Sequence, residues 1–126
     1  MTISERATAS IRSAPRDPND LGRLREEWRL LAKQWVAAQA RADEFEEGRK
    51  MLMDELTLAL VKDGTPVTRA EKEARVSDQF KAYMRKAHDA KREANDLRID
   101  AKNAELAYWE RNNAEATERA ERRMSR

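Results

Sequence analysis

The chain has 126 residues, of which 40% are charged, and its mean hydropathy is −1.00. This length allows one domain, but so polar a composition excludes an ordinary globular core, and the interior has to be a thin seam between helices. The 26 basic and 24 acidic residues leave a net charge of +2, which excludes a uniformly cationic nucleic-acid tail. Cysteine is absent, and neither a membrane span nor a secretory signal is visible, so we expect a cytoplasmic protein.

The N-terminal segment differs from the rest of the chain. Residues 1–18 mix serine, threonine and arginine with Pro15 and Pro18, and they show no apolar period. Such a segment cannot bury enough apolar surface to offset the entropy that ordering costs. We predict a disordered tail over residues 1–18 and a helical region over residues 19–126.

A first long helix is predicted over about residues 20–62. Asp17 or Asp20 can accept hydrogen bonds from its first unpaired N–H groups, and no proline or turn cluster interrupts it. Its apolar residues recur at alternating spacings of three and four, with Arg49 as the one charged interruption, and this is the heptad pattern of a coiled coil. The predicted seam residues are Leu21, Leu24, Trp28, Leu31, Trp35, Ala38, Ala42, Phe45, Leu52, Leu56 and Ala59.

The C-terminal part of this helix is apolar on more than one side. Met51, Met53, Leu58 and Leu60 lie outside the seam, so we expect them to contact a partner or a second copy of the chain.

A turn is predicted over residues 63–67, where the chain reads Asp-Gly-Thr-Pro from position 63. Glycine adopts the left-handed conformation that ends a helix, and proline cannot continue one. Thr68 with Glu71 forms a capping box that restarts the helix, and Ser77 with the following aspartate offers a second start. Residues 68–76 are therefore either a short separate helix or the first turns of a helix over about residues 68–124.

The second helix carries a seam of smaller residues with the same alternating spacing. After Tyr108 the apolar phase moves by one residue to Trp109, Ala116 and Ala120, and this change either alters the supercoil locally or redirects the apolar face toward another partner. We predict Trp109 as a further partner contact. The seam residues are Phe80, Tyr83, Ala87, Ala90, Ala94, Leu97, Ala101, Ala104 and Tyr108.

Two heptad seams joined by a tight turn predict an all-α fold, a long antiparallel two-helix coiled-coil hairpin. Two helices cannot cover Leu30, Val36 and Ile99 together with the seams and the other apolar residues. We therefore expect the hairpin to assemble into a helical bundle as a homo-oligomer, most simply a dimer.

Residues for catalysis are few. His88 is the single histidine, so one chain cannot build a multi-histidine metal site. The densest acidic cluster lies at residues 43–47, but successive helical side chains point in different directions, so it predicts a solvated face and no metal site. Gly22, Gly48 and Gly64 are isolated and form no phosphate-binding loop. We predict no enzyme, no cofactor and no metal.

A basic stripe is the clearest candidate for nucleic-acid binding. Lys81, Arg85, His88 and Arg92 follow an i, i+4, i+7, i+11 pattern opposite the seam, with Lys91 beside them, and phosphates could lie along this row. The alternative is a salt-bridged face, because Asp78, Asp89 and Asp96 lie three or four residues from these cations. We favour the salt-bridged face.

Three stretches of the second helix carry a resemblance to a known group of proteins. They are Val-Ser-Asp-Gln-Phe-Lys at residues 76–81, Ala-Lys-Arg-Glu-Ala-Asn at residues 90–95, and the ending from Tyr108-Trp109-Glu110-Arg111 to Met124. Over roughly residues 70–124 the chain resembles small coiled-coil helical proteins of tailed bacteriophages, encoded near single-strand annealing and recombination genes. The resemblance implies an accessory role in phage DNA recombination or replication, and it brings no catalytic residue.

Two functions are therefore expected from the sequence. The first is a phage-type accessory or adaptor protein that contacts a phage or host protein in recombination, replication or interference with host defence. The second is a direct nucleic-acid binder that uses the basic stripe. In either case we expect the protein in the cytoplasm of an infected bacterial cell and away from the membrane.

Overall fold

A computed structural model describes residues 20–125 of the chain. In this range the chain forms three α-helices in the order α1 (Asp20–Lys62), α2 (Val67–Arg75) and α3 (Asp78–Met124), and no strand is present among these residues. The prediction of an all-α protein is confirmed. The tail predicted over residues 1–18 lies outside the described residues.

Local sequence ends α1. Gly64 has a φ of 98°, a left-handed conformation that glycine adopts without the steric cost that a side chain adds. Its N–H donates to the carbonyl oxygen of Val61 at 3.0 Å, and the N–H of Thr65 donates to that of Leu60 at 3.0 Å. These two bonds form a Schellman motif, which satisfies carbonyl groups that have no partner inside the helix.

Residues 67–75 form a helix of their own, which settles the alternative left open by the sequence. The predicted capping box of Thr68 and Glu71 is wrong, because α2 begins one residue earlier at Val67, with Pro66 at the N-cap and no side-chain cap. Ser77 supplies the next start. Its hydroxyl accepts from the N–H of Phe80 at 3.2 Å and donates to the carbonyl oxygen of Ala74 at 2.7 Å, so it joins the end of α2 to the start of α3.

The described residues belong to two compact units. The first combines α1 up to Val36 with α3 from Asn95 onward, and its apolar core is small. Leucine from both helices is buried there beside alanines of α3, and the rings of Trp28 and Tyr108 pack with centroids 5.7 Å apart. The buried apolar residues of this unit are Leu24, Leu31, Leu97, Ala101 and Ala104.

In the first unit the seam of α3 keeps its phase beyond Tyr108. The residues at the shifted positions, Trp109, Ala116 and Ala120, are all exposed, so none of them packs in the seam of this chain. Charged residues at the unshifted positions are the less exposed ones, Arg111 among them. The Arg111 Nε lies 3.5 Å from the carboxylate of Glu115 on the same helix and 3.9 Å from that of Asp20 on α1, which is 4% exposed.

The second unit spans Ala37–Ala94. Its buried apolar side chains are all small, namely Ala38, Ala70, Ala74, Ala90 and Ala94. The α1 seam departs here from the prediction, since Ala59 is exposed while Leu60 is half-buried, and Arg49 is exposed while Gly48 is half-buried. The two departures are of one residue each in opposite directions, and Leu52 and Leu56 between them are half-buried as predicted. At the first departure the hydroxyl of Tyr83 lies over Gly48.

Candidate functional site

The candidate sites are surface features of the three helices. No described helix is long and apolar enough to cross a membrane. Among residues 20–125 there is no cluster of three or more metal-ligating side chains, and His88 is exposed. Over residues 20–125 the helices carry apolar patches, two basic surfaces and one acidic surface. Each of these surfaces lies within a single unit.

The predicted partner contacts divide into two groups. Met51, Leu58 and Trp109 are 66%, 54% and 46% exposed, whereas Met53 and Leu60 are half-buried inside the second unit. The sequence pattern did not single out other large apolar residues that are also exposed, because they follow no long seam. These are Val67, Val76, Leu106 and Met124.

A shallow groove runs along α1 in the first unit, and we call it the basic groove. Its apolar floor is one row of i, i+4 neighbours, Trp28, Ala32 and Val36. Arg25, Arg29 and Lys33 form a second row with the same spacing, so three cations line the groove with Glu26 beside them. The four-residue spacing of these cations beside a tryptophan is visible in the sequence, but they were not among the predicted site residues.

One cation of the basic groove has a partner on its own helix. The guanidinium of Arg29 donates to both carboxylate oxygens of Glu26, at 2.8 and 3.0 Å. This hydrogen bond lowers the pKa of Glu26 below its ordinary value and raises that of Arg29. Arg25 and Lys33 form no ion pair with any residue in the range 20–125, and both are exposed, so their charges face solvent.

Aromatic rings continue from Trp28 across the first unit. The ring of Tyr108 lies 5.7 Å from Trp28 and 5.1 Å from Trp109, the latter in an edge-on arrangement at 73°. Edge-on and tilted pairs are the geometries that the ring quadrupole favours. Trp109 therefore extends an aromatic contact outward from the seam, and its own ring is half in solvent.

An acidic surface lies on α1 in the second unit. Glu47, Met51, Asp54 and Leu58 follow an i, i+4, i+7, i+11 pattern and share one face, and Glu55 lies next to Asp54. All five are exposed. The carboxylates form no ion pair within the described part of the chain. We call this set the acidic stripe; it joins two predicted partner contacts to three unpaired negative charges.

The seam of the second unit contains a tight contact between α1 and α3. The Tyr83 hydroxyl donates to the carbonyl oxygen of Phe45 at 2.7 Å, and the two rings meet edge-on with centroids 5.5 Å apart. The same hydroxyl lies over Gly48, where a Cβ would collide with it. Arg41 covers the ring of Phe45 at 5.9 Å from its centroid. No pattern in the sequence predicted this role for Gly48.

The basic stripe is fully on the surface. Lys81, Arg85, His88, Lys91 and Arg92 are all exposed. The pairing expected with Asp78, Asp89 and Asp96 is wrong for this structure, since no ion pair joins either set within residues 20–125. Neighbouring positions on a helix surface permit such pairs without requiring them, because holding two long exposed side chains together costs entropy.

Comparisons with family models, with curated proteins and with solved structures find no match for this chain.

Proposed function

We propose that the protein is a non-enzymatic accessory or adaptor protein that works through protein–protein contacts. The observation that carries this proposal is the exposure of large apolar side chains on helices of both units. Leu30, Val36 and Trp109 in the first unit, and Met51 and Leu58 in the second, are between 46% and 66% exposed. Apolar groups beside polar ones on one surface are typical of a face that a partner covers.

The proposed architecture for this role is an antiparallel two-helix coiled-coil hairpin that assembles into a bundle. Contacts inside the first unit support it, because Asp20 meets Arg111 and Trp28 meets Tyr108. As residue numbers rise along α1, those of the contacted residues fall along α3, as antiparallel packing requires. We propose a homo-oligomer, most simply a dimer, because a second copy covers apolar residues that one chain leaves in water.

Light scattering tests the self-association. We expect a mass of about twice the monomer's 14.6 kDa at micromolar concentration. A monomer mass at every concentration would remove the homo-oligomer from the proposal.

The biological setting that we propose follows from the resemblance to tailed-phage proteins. The partner is a phage or host protein of DNA recombination, replication or host defence, in the cytoplasm of an infected cell. Capture from infected-cell lysate, with and without nuclease, tests it. A single protein partner that persists after nuclease treatment supports the adaptor function, and loss of every partner contradicts it.

Direct nucleic-acid binding is the second candidate, favoured by the exposed and unpaired basic stripe. Replacing Lys81, Arg85 and Arg92 with glutamate should then abolish DNA binding, and wild-type affinity should fall steeply with salt as phosphates release counterions. The matched control replaces three other exposed and unpaired cations of the same unit with glutamate, at positions Lys72, Arg75 and Lys86. Equal loss in both variants would indicate nonspecific charge attraction and would reject the stripe as a site.

A further inference from the structure

We infer that the basic groove of one copy binds the acidic stripe of a second copy. This inference rests on the proposed self-association and names the surfaces that produce it. Both surfaces lie on α1, the groove in the first unit and the stripe in the second. The partner is therefore another molecule of the same chain, contacted helix against helix.

Charge complementarity is the first reason for this pairing. The groove keeps a net charge of +2, because Arg25, Arg29 and Lys33 outnumber Glu26, whose pKa all three cations lower. The stripe carries three negative charges that form no ion pair within residues 20–125, on Glu47, Asp54 and Glu55. Each surface repels a copy of itself and attracts the other. Opposite charges across an interface determine which surfaces meet and in what order along the helices.

Apolar content is the second reason. The groove offers Trp28, Ala32 and Val36, and the stripe offers Met51 and Leu58. Val36 and Met51 are 65% and 66% exposed, so contact between copies removes much apolar surface from water. The small Ala32 at the middle of the groove leaves space for an unbranched methionine side chain, which adapts to irregular gaps.

An antiparallel approach brings these residues together in register. With Ala32 opposite Met51, facing residue numbers sum to 83, so Arg29 faces Asp54 and Arg25 lies within one helical turn of Glu55. Lys33 faces Lys50 and lies within one turn of Glu47, which offsets the repulsion between the two lysines. Each copy carries one groove and one stripe, so the smallest closed assembly that uses both surfaces is a pair of copies that makes the contact in both directions.

Other occupants fit one of the surfaces but not both. A nucleic acid suits the cations of the groove, yet the stripe repels it. A foreign acidic helix suits the groove and leaves Met51 and Leu58 uncovered. A second copy satisfies both surfaces at once.

The test is charge reversal followed by mixing. One variant carries Arg25→Glu and Lys33→Glu, and the other carries Glu47→Lys and Asp54→Lys. In each variant alone both surfaces have the same sign, so we expect the dimer dissociation constant to rise about 10- to 100-fold. In an equimolar mixture the surfaces are again complementary, so dimers of mixed composition should form. All four residues are exposed, and circular dichroism verifies that each variant keeps its helices.

The matched control carries Lys86→Glu and Arg119→Glu, two exposed cations outside both surfaces, and should dimerise like wild type. Sedimentation velocity over a concentration series measures every sample, and raising salt from about 50 to about 500 mM should weaken the wild-type dimer by screening. Wild-type dimerisation in either reversed variant, or no recovery on mixing, overturns the inference but leaves self-association intact. A monomeric wild type overturns both. DNA binding that is lost only in the groove variant, without a change in dimer mass, assigns the groove to nucleic acid and also overturns the inference.

Discussion

Replacing Gly48 with alanine tests the contact between α1 and α3 in the second unit. Gly48 lies inside a long helix, where alanine is ordinarily better by about 0.5–1 kcal/mol because glycine loses more backbone entropy on folding. Here the added Cβ collides with the Tyr83 hydroxyl. We therefore expect the ring to tilt away and the 2.7 Å hydrogen bond to Phe45 to break.

The balance of these effects gives the expected magnitude. The lost hydrogen bond costs about 0.5–1.5 kcal/mol, and displacing a packed ring costs about 1 kcal/mol or more. The gain in helix propensity of about 0.5–1 kcal/mol offsets part of these two costs. Gly48→Ala should therefore lower the free energy of unfolding by about 1 kcal/mol. Urea unfolding followed by circular dichroism, at one fixed protein concentration, measures the change.

The effect of Gly48→Ala on stability should change sign when the Tyr83 hydroxyl is removed. In a Tyr83→Phe background the nearest remaining ring carbon lies 3.5 Å from the new Cβ, an ordinary contact, so Gly48→Ala should now stabilise by about 0.5–1 kcal/mol. Gly22→Ala is the matched control, because nothing lies within 4 Å of its Cβ. If Gly48→Ala stabilises the wild-type chain as much as Gly22→Ala does, the proposed collision is refuted.

Two further predictions concern the first unit. Arg29→Gln removes the hydrogen bond that lowers the pKa of Glu26, so this pKa should rise toward its ordinary value in a carboxyl NMR titration. The pKa of Glu26 is lower in the folded state than in the unfolded state, so the stabilisation by this pair is present at neutral pH and is lost as pH falls through the folded-state pKa. If Arg29→Gln left the titration of Glu26 unchanged, the assigned cause of the lowered pKa would be contradicted. Asp100 is 8% exposed and forms no ion pair within residues 20–125, and alanine has the higher helix propensity, so Asp100→Ala should raise the free energy of unfolding by about 0.5 kcal/mol, measured by urea unfolding. A destabilised variant would mean that this carboxylate has a partner.

Much of the fold was predictable because it depends on neighbours in the chain. The end of α1 depends on Gly64 and Pro66, and the start of α3 on the Ser77 side chain, which reaches residues only three positions away. Helical periodicity likewise identified Met51, Leu58 and Trp109 as apolar residues outside the seams or at their edges, and all three are exposed. Each of these predictions needs only the geometry of a single helix.

The errors share a different physical origin. Gly48, in place of the expected Arg49, lies in the seam beneath the Tyr83 hydroxyl, which donates to a carbonyl oxygen 38 positions away in the chain. Arg111 lies in the seam of α3 within 3.9 Å of Asp20, which is 91 positions away. Composition and spacing do not contain such distant partners. The sequence by itself determined which segments are helical and which faces are apolar. Only the tertiary structure decided which residue of each face is covered and which charges remain unpaired, because those depend on side chains brought together from distant parts of the chain.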